Sequence, residues 1–168
     1  MEGLMPPLLE GNILLRVRLP EPVLRLAKPF LLERPAYELS LDQHKVALVQ
    51  TVEPVEGRIS RAELPQSKEV VRHIIGVERW GQRRLEVALG KPLPEDEPQA
   101  YRPPEGMDKV QLLYEFRKTR IQTLELVDLL KGTIEPTYIP HNTLGPLSTR
   151  AWLYYLNLHA LWESRRLR

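Results

Sequence analysis

The sequence predicts an all-α protein built as a four-helix bundle, and three observations carry that expectation. Two segments, over residues 68–89 and 107–131, place apolar side chains at helical spacing between recognisable start and stop residues. A third, from residue 149, is apolar nearly all round before a basic tail, as suits a helix buried on most sides. Ser40 is a good N-cap for a fourth helix. These elements set the expected boundaries: an N-terminal arm over 1–38, whose structure the sequence leaves open, and a helical domain over 39–168.

Taken in chain order, "GNILLRVRLPEPVL" contains an apolar alternation that fits a short strand. "PEPVLRLAKPFLLERP" fits a short helix interrupted at Pro29 and ended by Pro35. Any β-structure is expected within the first 35 residues. "LDQHKVALVQTVEPVEG" then forms a helix that either ends near Pro54 or continues past it with a kink. Ser67 can cap the next helix, Glu69 lies in its first turn, and Gly90 with Pro92 closes it. Its apolar stripe is Val70, Ile74, Val77 and Trp80, and His73 falls on or beside that stripe, so one polar residue points inward. "PEDEPQAYRPPEG" is a proline-rich acidic loop expected to cross an end of the domain. In "MDKVQLLYEFRKTRIQTLELVDLLKG", Val110, Leu113, Phe116, Arg120, Leu124 and Val127 keep helical spacing until Gly132. "TIEPTYIPHNTLGPL" reads as a loop, after which Ser148 caps "TRAWLYYLNLHALWESRRLR".

Composition narrows the function. A chain of 168 residues can bury one core without staples, and the absence of cysteine excludes disulfides, thiolate metal sites and cysteine nucleophiles. A net charge of +2 falls short of the basic face of a dedicated nucleic-acid binder, so nucleic acid is not an expected partner. "MEGLMPPLLEGN" lacks the basic and apolar regions of a secretory signal, and no later run approaches membrane-spanning length, so the expectation is a soluble cytoplasmic protein. The 16 prolines would suit the rigid loops of a thermophile. No glycine-rich phosphate loop and no G-x-S-x-G elbow is present.

One constellation can carry chemistry. His159 and Glu163 stand four apart on the last helix and project together toward whatever Trp152 and Leu156 face. Two ligands on one helix need a third from another, and His73 is the other histidine on a strong apolar stripe. Two imidazoles and a carboxylate suit zinc, nickel or ferrous iron, and leave positions open for water or a small-molecule substrate.

At this point two segments resemble a known family. "SKEVVRHIIGVERW" is similar to the second helix of the DinB-like (DNA-damage-inducible, YfiT-related) superfamily, where a histidine in the position of His73 begins a metal site. "PHNTLGPLSTRAWLYYLNLHALWESRR" resembles the family's last segment, in which a loop of HPxxGxL type leads to a tryptophan-containing helix with a His-x-x-x-His pair. His159 matches the first of that pair, Glu163 stands in place of the second, and Arg166 replaces a frequent glutamine. The resemblance covers about residues 67–168 and implies an up-down-down-up four-helix bundle, commonly a homodimer, with a three-ligand metal site. It implies a metal-dependent enzyme, of hydrolase type or transferring or isomerising adducts of a low-molecular-weight thiol such as bacillithiol. The alternative is a degenerate, non-catalytic bundle that acts as a binding or interaction protein. Neither reading names a catalytic residue.

Each remaining candidate has an ordinary structural role open to it. On spacing alone, His73 and His159 could be inward histidines satisfied by backbone or by a neighbouring helix. Glu163 could be a solvated partner of the basic tail. His141 reads as a loop anchor, and His44 has no visible partner. Arg79, Arg83 and Arg84 read as an exposed face paired with carboxylates such as Glu86. Trp152, Tyr154, Tyr155 and Trp162 read as core or dimer interface.

Overall fold

The computed structural model describes residues 21–64 and 66–168. The chain is mostly helical, with one small two-stranded sheet, and no described helix is long and apolar enough to cross a membrane. The expected strand falls largely on residues 11–20, outside the described residues, and residues 21–24 form the first turn of a helix.

That helix is α1 (Glu21–Lys28), which runs on through a π turn at Pro29–Glu33 into α2 (Arg34–Tyr37). Pro29 cannot donate to the carbonyl one turn back, so the ladder widens there and the Arg34 N–H bonds to the Pro29 carbonyl. With the ladder already shifted, Pro35 does not end the helix, which continues to Tyr37. Ser40 then caps α3 (Leu41–Gln50) through a reciprocal pair: its hydroxyl accepts from the Gln43 N–H at 3.2 Å, and the Gln43 side chain accepts from the Ser40 N–H at 2.8 Å. The helix continues past Pro54 as α4 (Val52–Arg61), offset at Thr51. Pro54 costs little in the first turn, where its missing N–H would have no partner in the helix.

α5 (Lys68–Leu85) is not capped by the Ser67 side chain, as the sequence suggested, because that hydroxyl lies 3.2 Å from the backbone of Arg168. The helix tightens into a 3₁₀ turn at Glu86–Leu89 and stops at Gly90, whose φ of 88° favours glycine. The acidic loop that follows does not cross an end of the domain. It runs back along α5: Asp96 meets Trp80 and Arg84 at 3.0 and 3.1 Å, the Arg72 Nε donates to the Pro103 carbonyl at 2.7 Å, and Lys68 reaches the Glu105 carbonyl at 3.1 Å. Gly76 allows this, since a Cβ there would lie 2.8 Å from Arg102 Cγ and 3.0 Å from the Pro98 carbonyl oxygen.

α6 (Lys109–Leu130) opens with a capping box from Asp108 and Gln111. Its inward face includes the expected Phe116, Arg120 and Val127, but Val110 is exposed, and Leu112, Thr119 and Thr123 are buried instead. The segment read as a loop contains β1 (Tyr138–His141) and β2 (Gly145–Ser148), an antiparallel hairpin, so β-structure is not confined to the first 35 residues. Its local signal is weak because Pro140 faces Pro146 across the pair, where neither has an N–H to give, while Ile139 and Leu147 fill the core. The Ser148 hydroxyl caps α7 (Thr149–Ser164) and donates to Glu33, tying the first helix to the last.

Cross-contacts set the helix directions. Glu56 pairs with Arg117 and Lys45 with Asp128, so α3–α4 and α6 run opposite ways. Gln82 contacts Thr119 and Thr123, and Arg79 pairs with Glu115, so α5 and α6 run the same way. Gly81 faces Leu156 and His73 faces His159, so α7 runs against α5. α7 sits between α5 and α3–α4, which uses its apolar girth within the chain.

At the centre lies an ion pair. Glu78 and Arg120 are 2 % and 1 % exposed, and Arg120 also donates to the Leu48 carbonyl at 3.1 Å, to Thr51 at 3.1 Å and to Asn157 at 3.3 Å. Thr123 donates to Glu78 at 2.7 Å. Removing one partner of such a pair strands a buried charge. Arg120→Ala should therefore lower the unfolding free energy by about 3–5 kcal/mol. Urea unfolding checks this, and a loss under about 1 kcal/mol would show that water relieves Glu78.

Candidate metal centre

α5 and α7 touch at Gly81, where a Cβ would lie 2.5 Å from a Leu156 methyl. That contact brings the first half of α5 against the second half of α7. His73 and His159 consequently meet with their Nε2 atoms 3.2 Å apart and their rings inclined by 68°. Glu163 lies one turn beyond His159, and one ligand atom from each of the three falls within 4.8 Å of the others. The trio named from the sequence is brought together, and it could hold a metal ion. The donor set fits such an ion. Two nitrogens bound at about 2.0–2.1 Å to a tetrahedral centre stand about 3.4 Å apart.

The surroundings of each ligand differ. Glu163 is 4 % exposed, and its Oε2 accepts from Arg166 at 2.5 Å. Arg102 approaches His73 Nδ1 at 3.4 Å, and a guanidinium can only donate. That contact matches the His73 tautomer with its lone pair on Nδ1 and its proton on Nε2. Burial lowers the His73 pKa, opposed by the charge of Glu163 and assisted by Arg102 and Arg166. Burial, with His73, His141 and Arg166 nearby, holds His159 at about 3. Both imidazoles are therefore neutral at pH 7, as ligation requires.

Tyr155, one turn before His159, packs between His159 and His141. Its ring lies 5.7 Å from His159 and 4.9 Å from His141, and burial together with the charge of Glu163 raises its pKa. His141 anchors its hairpin: Nδ1 accepts from the Thr143 and Leu144 N–H groups at 3.1 and 3.2 Å, while the ring packs among Trp80, Trp152 and Tyr155. Burial and the charge of Arg84 lower its pKa to about 4. His44 has a partner that the sequence did not reveal, donating from Nε2 to the Ala36 carbonyl at 2.9 Å.

The site opens through a cleft of about 260 Å³ lined by Glu69, Val70, His73, Arg102 and Arg166. Of the arginines expected on an exposed face, Arg83 is exposed and pairs with Glu86, and Arg79 pairs with Glu115. Arg84 corrects the expectation: it is 3 % exposed, stacked on Trp80 and bound to the Asp96 loop. Arg102 and Tyr155 were not singled out as site residues by the sequence. A glycine in the middle of the buried face of α5 was the available signal for Arg102, since it marks a close backbone approach.

No protein-family model matches the chain, and no curated protein and no solved structure is significantly similar to it.

The neutral histidines tie stability to pH. In the unfolded chain they titrate near 6.5, whereas folded His141 and His159 stay neutral down to about 4 and about 3. Between those values the unfolded state binds more protons, so this stability is complete above pH 6.5 and is lost as pH falls through the window. Thermal melts of chelator-treated protein should give a level Tm from pH 8 to 7 and a steady fall from pH 6 to 4. A Tm that is unchanged at pH 4 would show that the histidines are protonated in the folded state.

Proposed function

We propose that the protein is a metal-dependent enzyme of the DinB-like kind, a four-helix bundle in which His73, His159 and Glu163 hold zinc, nickel or ferrous iron. The observation that carries the reading is the 3.2 Å separation of the two Nε2 atoms, close to the edge of a tetrahedral ligand shell. The helix directions support the bundle, since α3–α4, α5, α6 and α7 follow the up-down-down-up order that the resemblance implies. The bound ion would supply Lewis-acid polarisation, or ionisation of water or of a low-molecular-weight thiol such as bacillithiol, at neutral pH.

The chain's own residues have separate tasks. His73 and His159 offer neutral nitrogens. Arg166 holds one oxygen of Glu163, which orients the carboxylate and leaves the other oxygen without a hydrogen bond from the described residues. Tyr155, whose raised pKa keeps it protonated, packs its ring against His159. A His73 that ligates through Nε2 must carry its proton on Nδ1, where Arg102 cannot accept it. Glu69, 3.4 Å from Arg102 and one turn before His73, is the carboxylate to which that guanidinium can withdraw. The homodimer and the cytoplasmic setting belong to the same proposal. Exposed Val46, Val49, Ile121 and Leu129 on α3 and α6 support the dimer better than α7 does.

The contacts of Arg166 with Glu163 and of Arg102 with His73 favour a second reading, a metal-free bundle that acts as a binding protein. Zinc titration of untagged, chelator-treated protein decides between them. Wild type should bind one equivalent. Glu163→Ala should weaken binding by more than the roughly 10–100-fold that loss of an outer partner costs, with the helical circular dichroism unchanged. Glu163→His should keep or tighten it. If wild type binds no zinc while Glu163→His does, the binding-protein reading holds.

A further inference from the structure

The cleft over His73 and His159 is more cationic than a metal site requires. Arg102 is 28 % exposed, and its contacts with Glu69 and with His73 Nδ1, both 3.4 Å, lie at the outer limit of hydrogen bonding. Its Nε is buried without a hydrogen-bond acceptor among the described residues. Arg166, on the opposite lip, is 60 % exposed. An adjoining cleft of about 560 Å³ shares Val70 and Arg166 and adds Arg165 and Arg168, neither of which has an acidic side-chain partner among the described residues. The carboxylates at hand are Glu69, divided between Arg72 and Arg102, and Glu163, held by Arg166. The two adjoining clefts are thus lined by Arg102, Arg165, Arg166 and Arg168, while the side-chain carboxylates beside them are already engaged.

We propose that this site takes an anionic substrate, whose carboxylate or phosphate group is bound by Arg102 and Arg166 beside the two histidines. For its catalytic meaning the proposal rests on the metal reading above, but the anion contact itself is made by the arginines. A guanidinium presents a planar fork of donors that matches carboxylate and phosphate oxygens two at a time. The two terminal nitrogens of Arg102, whose contacts are both 3.4 Å long, are the donors such a group satisfies. The position is built into the fold, because Gly76 lets the 98–102 turn lie against α5 and deliver Arg102 to His73. A divalent ion held by one carboxylate and two neutral imidazoles keeps a positive charge, which adds to the same field. An open cleft of this size suits a small anion, and no long basic stripe of the kind that tracks a nucleic-acid backbone is present among the described residues.

The test titrates full-length protein, chelator-treated and zinc-loaded, with inorganic phosphate and separately with succinate, by calorimetry at low ionic strength. At least one probe should bind saturably, and the tighter of the two identifies the anionic group. Arg102→Gln should weaken that binding at least tenfold while zinc binding is kept or tightened, and Arg102→Lys should restore part of it. Arg83→Gln, a charge change outside the cleft, should leave it unaltered. The proposal is overturned if neither probe saturates, if Arg102→Gln has no effect, or if Arg83→Gln weakens binding equally. Tighter capture of a short DNA duplex through the same arginines would overturn it in favour of nucleic acid. Failure of the metal reading looks different: zinc does not bind, yet the anion still does and still depends on Arg102.

Discussion

The Glu78–Arg120 pair constrains the molecule more than any apolar contact does, because charges removed from water tolerate almost no error in their surroundings. Arg120 needs the Leu48 carbonyl, Thr51 and Asn157 within reach, and Glu78 needs Thr123. These partners belong to α3 and the residue after it, α5, α6 and α7, so one buried network sets how far each helix has slid along its neighbours. A slip of α7 by one turn, about 5.4 Å, would withdraw Asn157 from Arg120. It would also withdraw His159 from His73, since His159 follows Asn157 by two residues. The register of the candidate site is inherited from the register of the buried charges.

Two glycines then set the distances. Gly81 lets Leu156 close on α5, and Gly76 lets the returning loop close on the same helix. The first approach brings the two imidazoles together and the second brings a guanidinium to them. Both glycines lie on the buried part of α5, where alanine would favour the helix by about 1 kcal/mol. Here local propensity gives way to packing, and the functional groups gather where it does.

The site is correspondingly polarised. Its inner side is aromatic and holds the histidines neutral, through Tyr155, Trp152 and Trp80, with His141 between them. Its outer side is basic, with Arg166 on the carboxylate and Arg102 on the free nitrogen of His73. A cation that enters must exchange with those guanidinium groups, whereas an anion is attracted by them. On the proposed reading, cation binding and anion binding at this cleft would be coupled through Arg102.

Much of this was legible in the linear sequence. Periodicity, the caps at Ser40 and Ser148 and the stops at Gly90 and Gly132 located α3, α5, α6 and α7, because those signals arise within a turn or two of chain. The pairing of His159 with Glu163 was legible for the same reason, being an i, i+4 relation on one helix face. Arg120 was visible as an inward position, but its partner Glu78 was not, since nothing local distinguishes a buried glutamate from a solvated one. The hairpin was hidden by Pro140 and Pro146, whose tolerance depends on each facing the other. The loop was expected to cross an end of the domain because proline and acidic residues signal a connection without signalling its course. Its return along α5, the arrival of Arg102 beside His73, and the burial of Arg84 depend on residues far apart in sequence. By itself the sequence determined which stretches are helical and which side chains share a helix face, because those are short-range properties of the backbone. Tertiary structure alone decided which faces meet, because that choice depends on burying Glu78 and Arg120 together and on how closely two glycines let their neighbours approach.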